Sequence, residues 1–290
     1  MKHAYLIIAH NNYEILKKNI EILDGKDTSF YIHIDYNSKE FPKNEIENKV
    51  KLGKITFIDR KKILWGDISQ VECELDLLEL AIKGKADYYH LISGVDISIK
   101  SNEEINNFFV ENNGFEFIHF CDEKENEEYS KRCQKFYYTK KLRGGFRNFN
   151  KIFNKVSIKI QNIFGYSRNN NVVIKKGSNW FSITDKLARR IVQERVWIYK
   201  TFKNTLCPDE HFLQSIIFTK KIEVKIYNKY GEGEISNSLR EIDWQRGKPY
   251  IYRSNDFELL KSSENIFARK FDEEVDIEIV NLLVKKIKEE

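Results

Sequence analysis

Short, mostly apolar segments alternate with helical patterns along the first 120 residues of this chain. The continuous run at residues 5–9 is typical of a strand buried on both faces of a sheet. Residues 13–23 and 68–83 instead carry apolar side chains at helical spacing. This alternation predicts an α/β fold with a mostly parallel central sheet flanked by helices. The predicted strands of this half are 5–9, 30–35, 54–58, 88–92 and 115–120.

Polar side chains follow three of these strands, at the point where each one ends. His10 follows the first strand, Asp35 closes the second and Asp96 lies just after the fourth. Ligands of open parallel sheets bind outside the carboxyl ends of the strands. We therefore expect these three side chains along one edge of the sheet, where a nucleotide would lie.

The second half of the chain is less regular, and no linker divides it from the first. We predict strands at 172–174, 180–183 and 223–228, and helices at 187–199 and 277–288. The chain has 290 residues, of which 41% are hydrophobic, enough for one large core. We therefore predict a single domain over residues 1–290.

A basic segment, defined here as residues 131–176, interrupts an otherwise acidic chain. It holds 13 Lys and Arg and no Asp or Glu, whereas the whole chain has a net charge of +5, so the remainder is −8. Apolar residues recur at helical spacing from 146 to 164, interleaved with Lys and Arg. Such a helix can pack its apolar stripe on the domain, or bind a membrane surface. No nucleic-acid-binding motif is present, and we expect no nucleic acid partner.

Cysteine usage and hydropathy bear on location. No Cys-x-x-Cys pair or zinc spacing occurs, so the four cysteines are expected to be reduced thiols. The apolar run at 4–9 is too short for a signal sequence or a membrane span. These features predict a cytoplasmic protein, with possible peripheral contact at the inner face of the cell membrane.

Several common catalytic motifs are missing from the sequence. It contains no Gly-x-Gly-x-x-Gly, no Walker loop and no Gly-x-Ser-x-Gly. It also lacks Asp-x-Asp, the pair that holds a divalent ion in many nucleotide-sugar transferases; 35–37 (DYN) and 232–234 (EGE) are at best degenerate versions. We therefore expect no dinucleotide or other cofactor. If no metal is bound either, cationic side chains have to neutralise a diphosphate leaving group.

The segment at 207–210 (CPDE) has two interpretations. Pro followed by acids is a common helix start, because Pro suits the first helical position and acids suit the positive end of the dipole. The segment can equally present a catalytic carboxylate at the mouth of a buried helix, with Arg253 and Lys270 as cations further along the chain. The tryptophans at 65, 180 and 244 are open to a similar choice between packing in the core and stacking on a sugar or base.

Ten short motifs in a fixed order carry a family resemblance. The chain resembles the core-2/I-branching β-1,6-N-acetylglucosaminyltransferases (glycosyltransferase family 14), a group that also contains peptide O-xylosyltransferases, and within it a bacterial, cytosolic member. The motifs are 4–10 (AYLIIAH), 32–35 (IHID), 65–70 (WGDISQ), 89–96 (YHLISGVD), 99–102 (IKSN), 177–181 (GSNWF), 208–210 (PDE), 244–245 (WQ), 253–254 (RS) and 267–272 (FARKFD).

The resemblance implies a variant GT-A fold, inversion at the anomeric carbon and no metal requirement. It assigns the catalytic base to Glu210, and contacts to the donor diphosphate to Arg253 and Lys270. It places contacts to the donor nucleotide at His10, Asp35 and Trp65. It places a contact to the acceptor at Trp244.

The chain also departs from the family pattern. Trp65 stands where the family often has Tyr, and the cysteine framework of the animal enzymes is not evident. The basic segment does not align and lies where acceptor contacts are expected, so the acceptor stays open.

The resemblance predicts a glycosyltransferase that moves a sugar, with GlcNAc favoured, from a UDP-sugar to a hydroxyl of a glycan acceptor. We expect a role in surface polysaccharide synthesis, with an acceptor that could be lipid-linked. UDP-xylose or another UDP-sugar as donor, or a non-catalytic carbohydrate- or membrane-binding protein on the same fold, are the alternatives.

Overall fold

The computed structural model describes residues 1–38, 40–137 and 147–289, with the backbone alone from 147 to 151. Strands and helices alternate through the first half, as the sequence predicts. The strands are β1 (His3–Ala9), β2 (Thr28–Ile34), β3 (Lys54–Phe57), β4 (Tyr88–Ser93), β5 (Ile97–Ser98), β6 (Phe115–Ile118), β7 (Phe181–Thr184), β8 (Lys225–Ile226), β9 (Arg240–Ile242) and β10 (Phe267–Arg269). The helices are α1 (Tyr13–Leu23), α2 (Lys43–Glu47), α3 (Ile68–Ala81), α4 (Asn102–Glu111), α5 (Glu123–Gln134), α6 (Arg147–Ile163), α7 (Asp185–Gln193), α8 (Arg195–Phe202), α9 (Phe212–Thr219), α10 (Phe257–Ser262), α11 (Glu273–Asp276) and α12 (Glu278–Glu289).

A seven-stranded sheet in the order β3-β2-β1-β4-β7-β6-β8 forms the centre of the described structure. The first four strands in this order are parallel to one another, and β6 and β8 are also parallel. Only β7 runs antiparallel to its neighbours β4 and β6. A smaller sheet, β5-β10-β9, lies beside the large one. The predicted α/β class, with a mostly parallel central sheet flanked by helices, is confirmed.

Both faces of the large sheet are buried, which explains the continuous apolar run in β1. Ala4 and Leu6 face a cluster formed with α3, α7, α8 and α9, while Tyr5 and Ile7 face a cluster formed with α1 and α4. Successive side chains of a strand point to opposite faces, so both sets must be apolar. A third cluster joins α12 and α10 to α1 and β10.

Four predicted elements differ from the structure in the second half. The strand at 172–174 is wrong: Val173 and Lys175 donate their backbone N–H groups to the side chains of Thr219 and Ser215 on α9, so no strand partner is needed. The helix at 187–199 is two helices that meet at Glu194, and the strand at 223–228 shrinks to β8. The segment at 207–210 forms a separate 3-10 turn rather than the first turn of α9.

Candidate active site

A cleft of about 1240 Å³ opens at the carboxyl ends of β1, β2 and β4. Five of the seven residues to which the family resemblance assigns a role line it, namely His10, Asp35, Trp65, Glu210 and Trp244. They come from segments up to 234 residues apart (244 minus 10), and the fold brings them to one place. The structure therefore brings these five residues together at one cleft outside the strand ends.

One wall of the cleft, here called the strand-end wall, consists of the loops after β1, β2 and β4. The carboxylate of Asp35 accepts hydrogen bonds from the backbone N–H groups of Asn37 (2.7 Å) and Ile63 (2.8 Å). Asp35 therefore fixes the loop that leads to Trp65, whose side chain is 69% exposed. The imidazole of His10 lies nearby with its pKa lowered, first by burial and then by Lys270 and Arg269.

The opposite wall centres on the 3-10 turn Pro208–Glu210. Cys207 enters the turn with a left-handed φ of 52°, and its N–H donates to the carbonyl of Gly66 at 3.0 Å. Gly66 itself has a φ of +71°, a conformation that favours glycine. The segment carrying Trp65 thus holds the start of the turn that carries Glu210.

Glu210 is half-buried in the cleft and is paired with a cation. Its Oε2 lies 3.1 Å from Nη1 of Arg132 on α5. Its backbone carbonyl accepts a hydrogen bond from Gly177 at 2.9 Å. A side chain at Gly177 would meet the carbonyl oxygen of His119 at 1.9 Å, so only glycine fits against this turn.

A second ion pair lies on the same wall. Nζ of Lys176 lies 2.9 Å from Oε1 of Glu125, and the cations of Lys176 and Arg132 lie 4.7 and 4.2 Å from the ring centre of Tyr129. Burial acts to lower the pKa of Lys176, but Cys121, Glu125 and Glu210 outweigh it and raise the pKa. The sequence reasoning missed Arg132 and Lys176 as site residues, although both lie at the ends of the basic segment.

Two buried carboxyl groups lie in the turn and on the neighbouring helix α3. Asp209 is 9% exposed and Glu74 on α3 is fully buried. Burial raises the pKa of Asp209 to about 7, with the charge of Glu210 adding to it, and burial with the charge of Asp209 raises the pKa of Glu74. Among the described residues, neither Oδ1 of Asp209 nor Oε2 of Glu74 has a hydrogen-bond partner. Asp209 lines the cleft together with Glu210 but is far more buried, whereas Glu74 does not reach the cleft.

The two predicted diphosphate ligands, Arg253 and Lys270, do not line the cleft itself. The backbone joins their segments, because the N–H of Tyr252 donates to the carbonyl of Lys270 at 3.0 Å. Arg253 is exposed, and Lys270 is near enough to His10 to lower its pKa. The two segments therefore adjoin through their backbones, and Lys270 lies near His10 of the strand-end wall.

Arg269, which the sequence reasoning did not select, enters the cleft instead. Its Nη1 donates to the carboxylate of Asp96 at 2.6 Å and to the hydroxyl of Ser93 at 2.5 Å. Its guanidinium lies 4.5 Å from the ring centre of Trp180, which is buried. Trp244, by contrast, is 57% exposed at the rim, so its ring is open to a ligand.

Within the described ranges, no group of three or more His, Cys, Asp or Glu side chains is arranged to hold a metal ion. In the degenerate 35–37 motif, both the backbone N–H and the side-chain amide of Asn37 donate to Asp35. All four cysteines are free and buried. No helix in the described part of the chain is long and apolar enough to cross a membrane.

Most of the chain matches the model of one protein family. Residues 3–262 match the family model of the Core-2/I-Branching enzyme. The chain belongs to the Core-2/I-Branching enzyme family. The expected family resemblance is thereby confirmed.

Two curated relatives show how far the similarity extends. The chain is 21% identical to a β-1,3-galactosyl-O-glycosyl-glycoprotein β-1,6-N-acetylglucosaminyltransferase 4 of Mus musculus, over 99% of the chain and 66% of the relative. It is 20% identical to a xylosyltransferase of Ciona intestinalis, over 98% of the chain and 34% of the relative. The chain thus spans between a third and two thirds of the length of these relatives.

Among solved structures, mouse xyloside xylosyltransferase 1 superposes with a TM-score of 0.38 and 9% identity, covering 92% of this chain and 97% of that one. A 4-diphosphocytidyl-2C-methyl-D-erythritol synthase from Anaerococcus prevotii gives a TM-score of 0.35 and 11% identity, over 68% and 76% of the two chains. The family membership rests on the sequence match, not on these superpositions.

Proposed function

We propose that this Core-2/I-Branching family protein is an inverting glycosyltransferase that moves a sugar from a UDP-sugar to a hydroxyl of a glycan acceptor. The observation that carries the proposal is the position of Glu210 in the cleft. The turn Pro208–Glu210 presents its carboxylate opposite the strand ends, where a nucleotide donor would bind. Relatives named as N-acetylglucosaminyl- and xylosyltransferases support the same class of reaction.

In the proposed reaction, Glu210 accepts the proton of the acceptor hydroxyl while the oxygen attacks the anomeric carbon. The new bond forms on the face opposite the bond to UDP, which breaks and leaves its electron pair on the diphosphate. General base catalysis of this kind requires the carboxylate within hydrogen-bond reach of the hydroxyl. Arg132 holds one oxygen of Glu210, which orients the carboxylate and leaves Oε1 for the acceptor.

Charge on the departing diphosphate is stabilised by cationic side chains in this proposal, without a metal ion. The backbone segments of Arg253 and Lys270 adjoin, and the positive charge of the two side chains would offset the negative charge that develops on the departing UDP. In this proposal His10 and Trp65 contact the nucleotide, and Asp35 supports the contact through the loop that it fixes. Trp244 stacks on the acceptor sugar at the rim.

The choice of donor sugar rests on the names of two relatives. The relatives are named for N-acetylglucosamine and xylose transfer, and we favour GlcNAc because the mouse relative is named for it. We propose that the acceptor is a glycan of surface polysaccharide synthesis, carried on a lipid, and that the protein works in the cytoplasm at the inner face of the membrane.

A donor panel tests this function. Purified protein is incubated with UDP-GlcNAc, UDP-xylose and other UDP-sugars, with and without glycan acceptors, and UDP release is measured. We expect turnover with one donor, unchanged by EDTA. Restoration of an EDTA-sensitive activity by Mn²⁺ would contradict the metal-free mechanism. Tight UDP binding without turnover on any donor would instead identify a non-catalytic carbohydrate-binding protein.

A further inference from the structure

Helix α6 packs on the protein through its polar side. The side-chain amide of Gln161 donates to the carbonyl of Phe136 (3.1 Å), and its oxygen accepts from the N–H of Phe136 (2.8 Å). Ser157, one turn earlier, accepts a hydrogen bond from the same amide at 3.1 Å. Residues four apart share a helix face, so this polar face is the one that contacts the domain.

The apolar side of the same helix faces solvent. Its residues at positions 152, 156, 160 and 163 follow the spacing of one helical face and extend about 16 Å along the axis. All are exposed, at 61% for Ile152, 52% for Val156, 48% for Ile160 and 71% for Ile163, and Phe164 just beyond the helix is 81% exposed. An ordinary surface helix has the reverse orientation, with the apolar stripe inward. Of the two alternatives that the sequence left open, packing of this stripe on the domain is therefore excluded.

Two lysines, here called the lysine row, border the apolar stripe. Lys155 and Lys159 are exposed and lie three residues after Ile152 and Val156, so they line one edge of the stripe. No acidic residue occurs anywhere in the basic segment 131–176. Lysines in this position can lower their apolar stems toward a hydrophobic layer while the ammonium groups stay at a polar, negatively charged surface.

We propose that the exposed face of α6 docks the protein on an anionic membrane surface. Charge decides between the possible occupants. A second copy of the chain would bring an identical surface with lysines and no acids, so its charges would repel. Anionic lipid headgroups complement the lysine row, and the acyl region just below them accepts the Ile, Val and Phe side chains.

The segment that follows α6 is hydrogen-bonded to α5, the helix whose Arg132 pairs with Glu210. The N–H of Arg168 donates to the carbonyl of Gln134 at 3.0 Å, and the amide of Asn169 donates to the carbonyl of Cys133 at 2.8 Å. Both acceptors are at the end of α5, one and two residues beyond Arg132. Membrane docking through α6 would therefore bring the opposite wall of the cleft, which carries Glu210, close to the lipid surface. This last step rests on the proposed function and fits an acceptor carried on a lipid.

Vesicle sedimentation tests the docking surface without donor or acceptor. Wild-type protein is mixed at low salt with vesicles of phosphatidylglycerol and phosphatidylcholine, or of phosphatidylcholine alone. We expect binding to the anionic vesicles, reduced at least about tenfold by Val156→Glu, because an apolar anchor is lost. Val110→Glu on α4 is the matched control, since Val110 has the same exposure (53%) and lies outside the surface.

A second variant tests the charge component. Replacing Lys155 and Lys159 by Glu should weaken binding to the anionic vesicles by roughly thirtyfold or more, at about 1 kcal/mol per lysine. Binding of wild-type protein that is equal on both vesicle types, or absent on both, overturns the proposal. So does binding that Val156→Glu leaves unchanged. A wild-type dimer that Val156→Glu converts to a monomer, without vesicle binding, would identify the surface as a contact between copies.

Activity provides an independent readout. UDP-sugar hydrolysis in free solution should be the same for Val156→Glu and wild type, because Val156 touches no part of the cleft. Vesicle binding by a protein that turns over no donor would support the docking surface and overturn the proposed function. Turnover without vesicle binding would do the opposite, so the two failures are distinguishable.

Discussion

Acidic side chains on the two walls of the cleft have different partners. On the strand-end wall, Asp35 accepts hydrogen bonds from two backbone N–H groups, so its carboxylate holds the loop in place. On the opposite wall, Glu210 and Glu125 pair with the side chains of Arg132 and Lys176 and stay partly exposed. The first arrangement fixes a binding surface, and the second leaves charged groups that a substrate can reach. Changes on the two walls should therefore have different consequences.

The largest effect is expected from Glu210→Gln on the opposite wall. The amide cannot accept the acceptor proton, so turnover should fall by about a hundredfold or more, while UDP affinity and melting temperature stay close to those of the wild type. Steady-state kinetics and calorimetry measure the two. Glu234→Gln, in an acid that lines the same cleft, is the control. Near-normal turnover of Glu210→Gln would show that Glu210 is not the catalytic base.

The cations of the two segments that adjoin near the strand-end wall come next. Lys270→Ala and Arg253→Ala should each lower both turnover and UDP affinity by roughly tenfold, because each removes a charge that binds the diphosphate. Lys261→Ala, an exposed lysine on α10, is the control and should change neither. UDP affinities that match the wild type in calorimetry would rule out contact with the diphosphate.

Asp35→Asn should act mainly through the fold. The variant loses the negative charge that accepts two backbone hydrogen bonds, at a cost of about 1–3 kcal/mol in the free energy of unfolding. We expect a higher KM for the donor and a nearly unchanged kcat, the reverse of the pattern for Glu210→Gln. Chemical denaturation and donor titrations test this. A loss confined to kcat would show that Asp35 takes part in chemistry rather than in loop geometry.

The strand-end wall could be predicted from the sequence because its signals are local. Each strand is a contiguous apolar run, and the polar residue after it must lie at the sheet edge. The opposite wall depends on pairs distant in the chain, such as Arg132 with Glu210, which are 78 residues apart and leave no periodic pattern. In 267–272, alternation along β10 turns Arg269 into the cleft, and the motif does not show this.

Helix α6 shows a second limit of sequence reasoning. The periodicity gives both faces of the helix, but packing is decided by partners elsewhere. Here the backbone of Phe136 offers a donor and an acceptor that match the amide of Gln161, so the polar face turns inward. Hydrophobic periodicity alone left both orientations open.

The smallest and most specific effect concerns Asp209, the buried neighbour of Glu210. Its pKa rises from 3.8 to about 7 on folding, so the folded protein holds this proton more tightly than the unfolded chain. The stability from this group is therefore complete below pH about 4 and is lost as the pH rises to about 7. Glu74, with its pKa raised by burial and by Asp209, acts in the same direction.

Asp209→Asn removes this titration and leaves the other groups in place. The difference in melting temperature between the variant and the wild type should shift in favour of the variant by roughly a few degrees between pH 4 and pH 7. Thermal unfolding at a series of pH values measures it. Asp122→Asn, in the N-cap of α5, is the control, because this acid is exposed. A melting-temperature difference between Asp209→Asn and wild type that does not change with pH would mean that Asp209 is ionised in the folded protein. Both acids of the turn would then be negatively charged at the cleft.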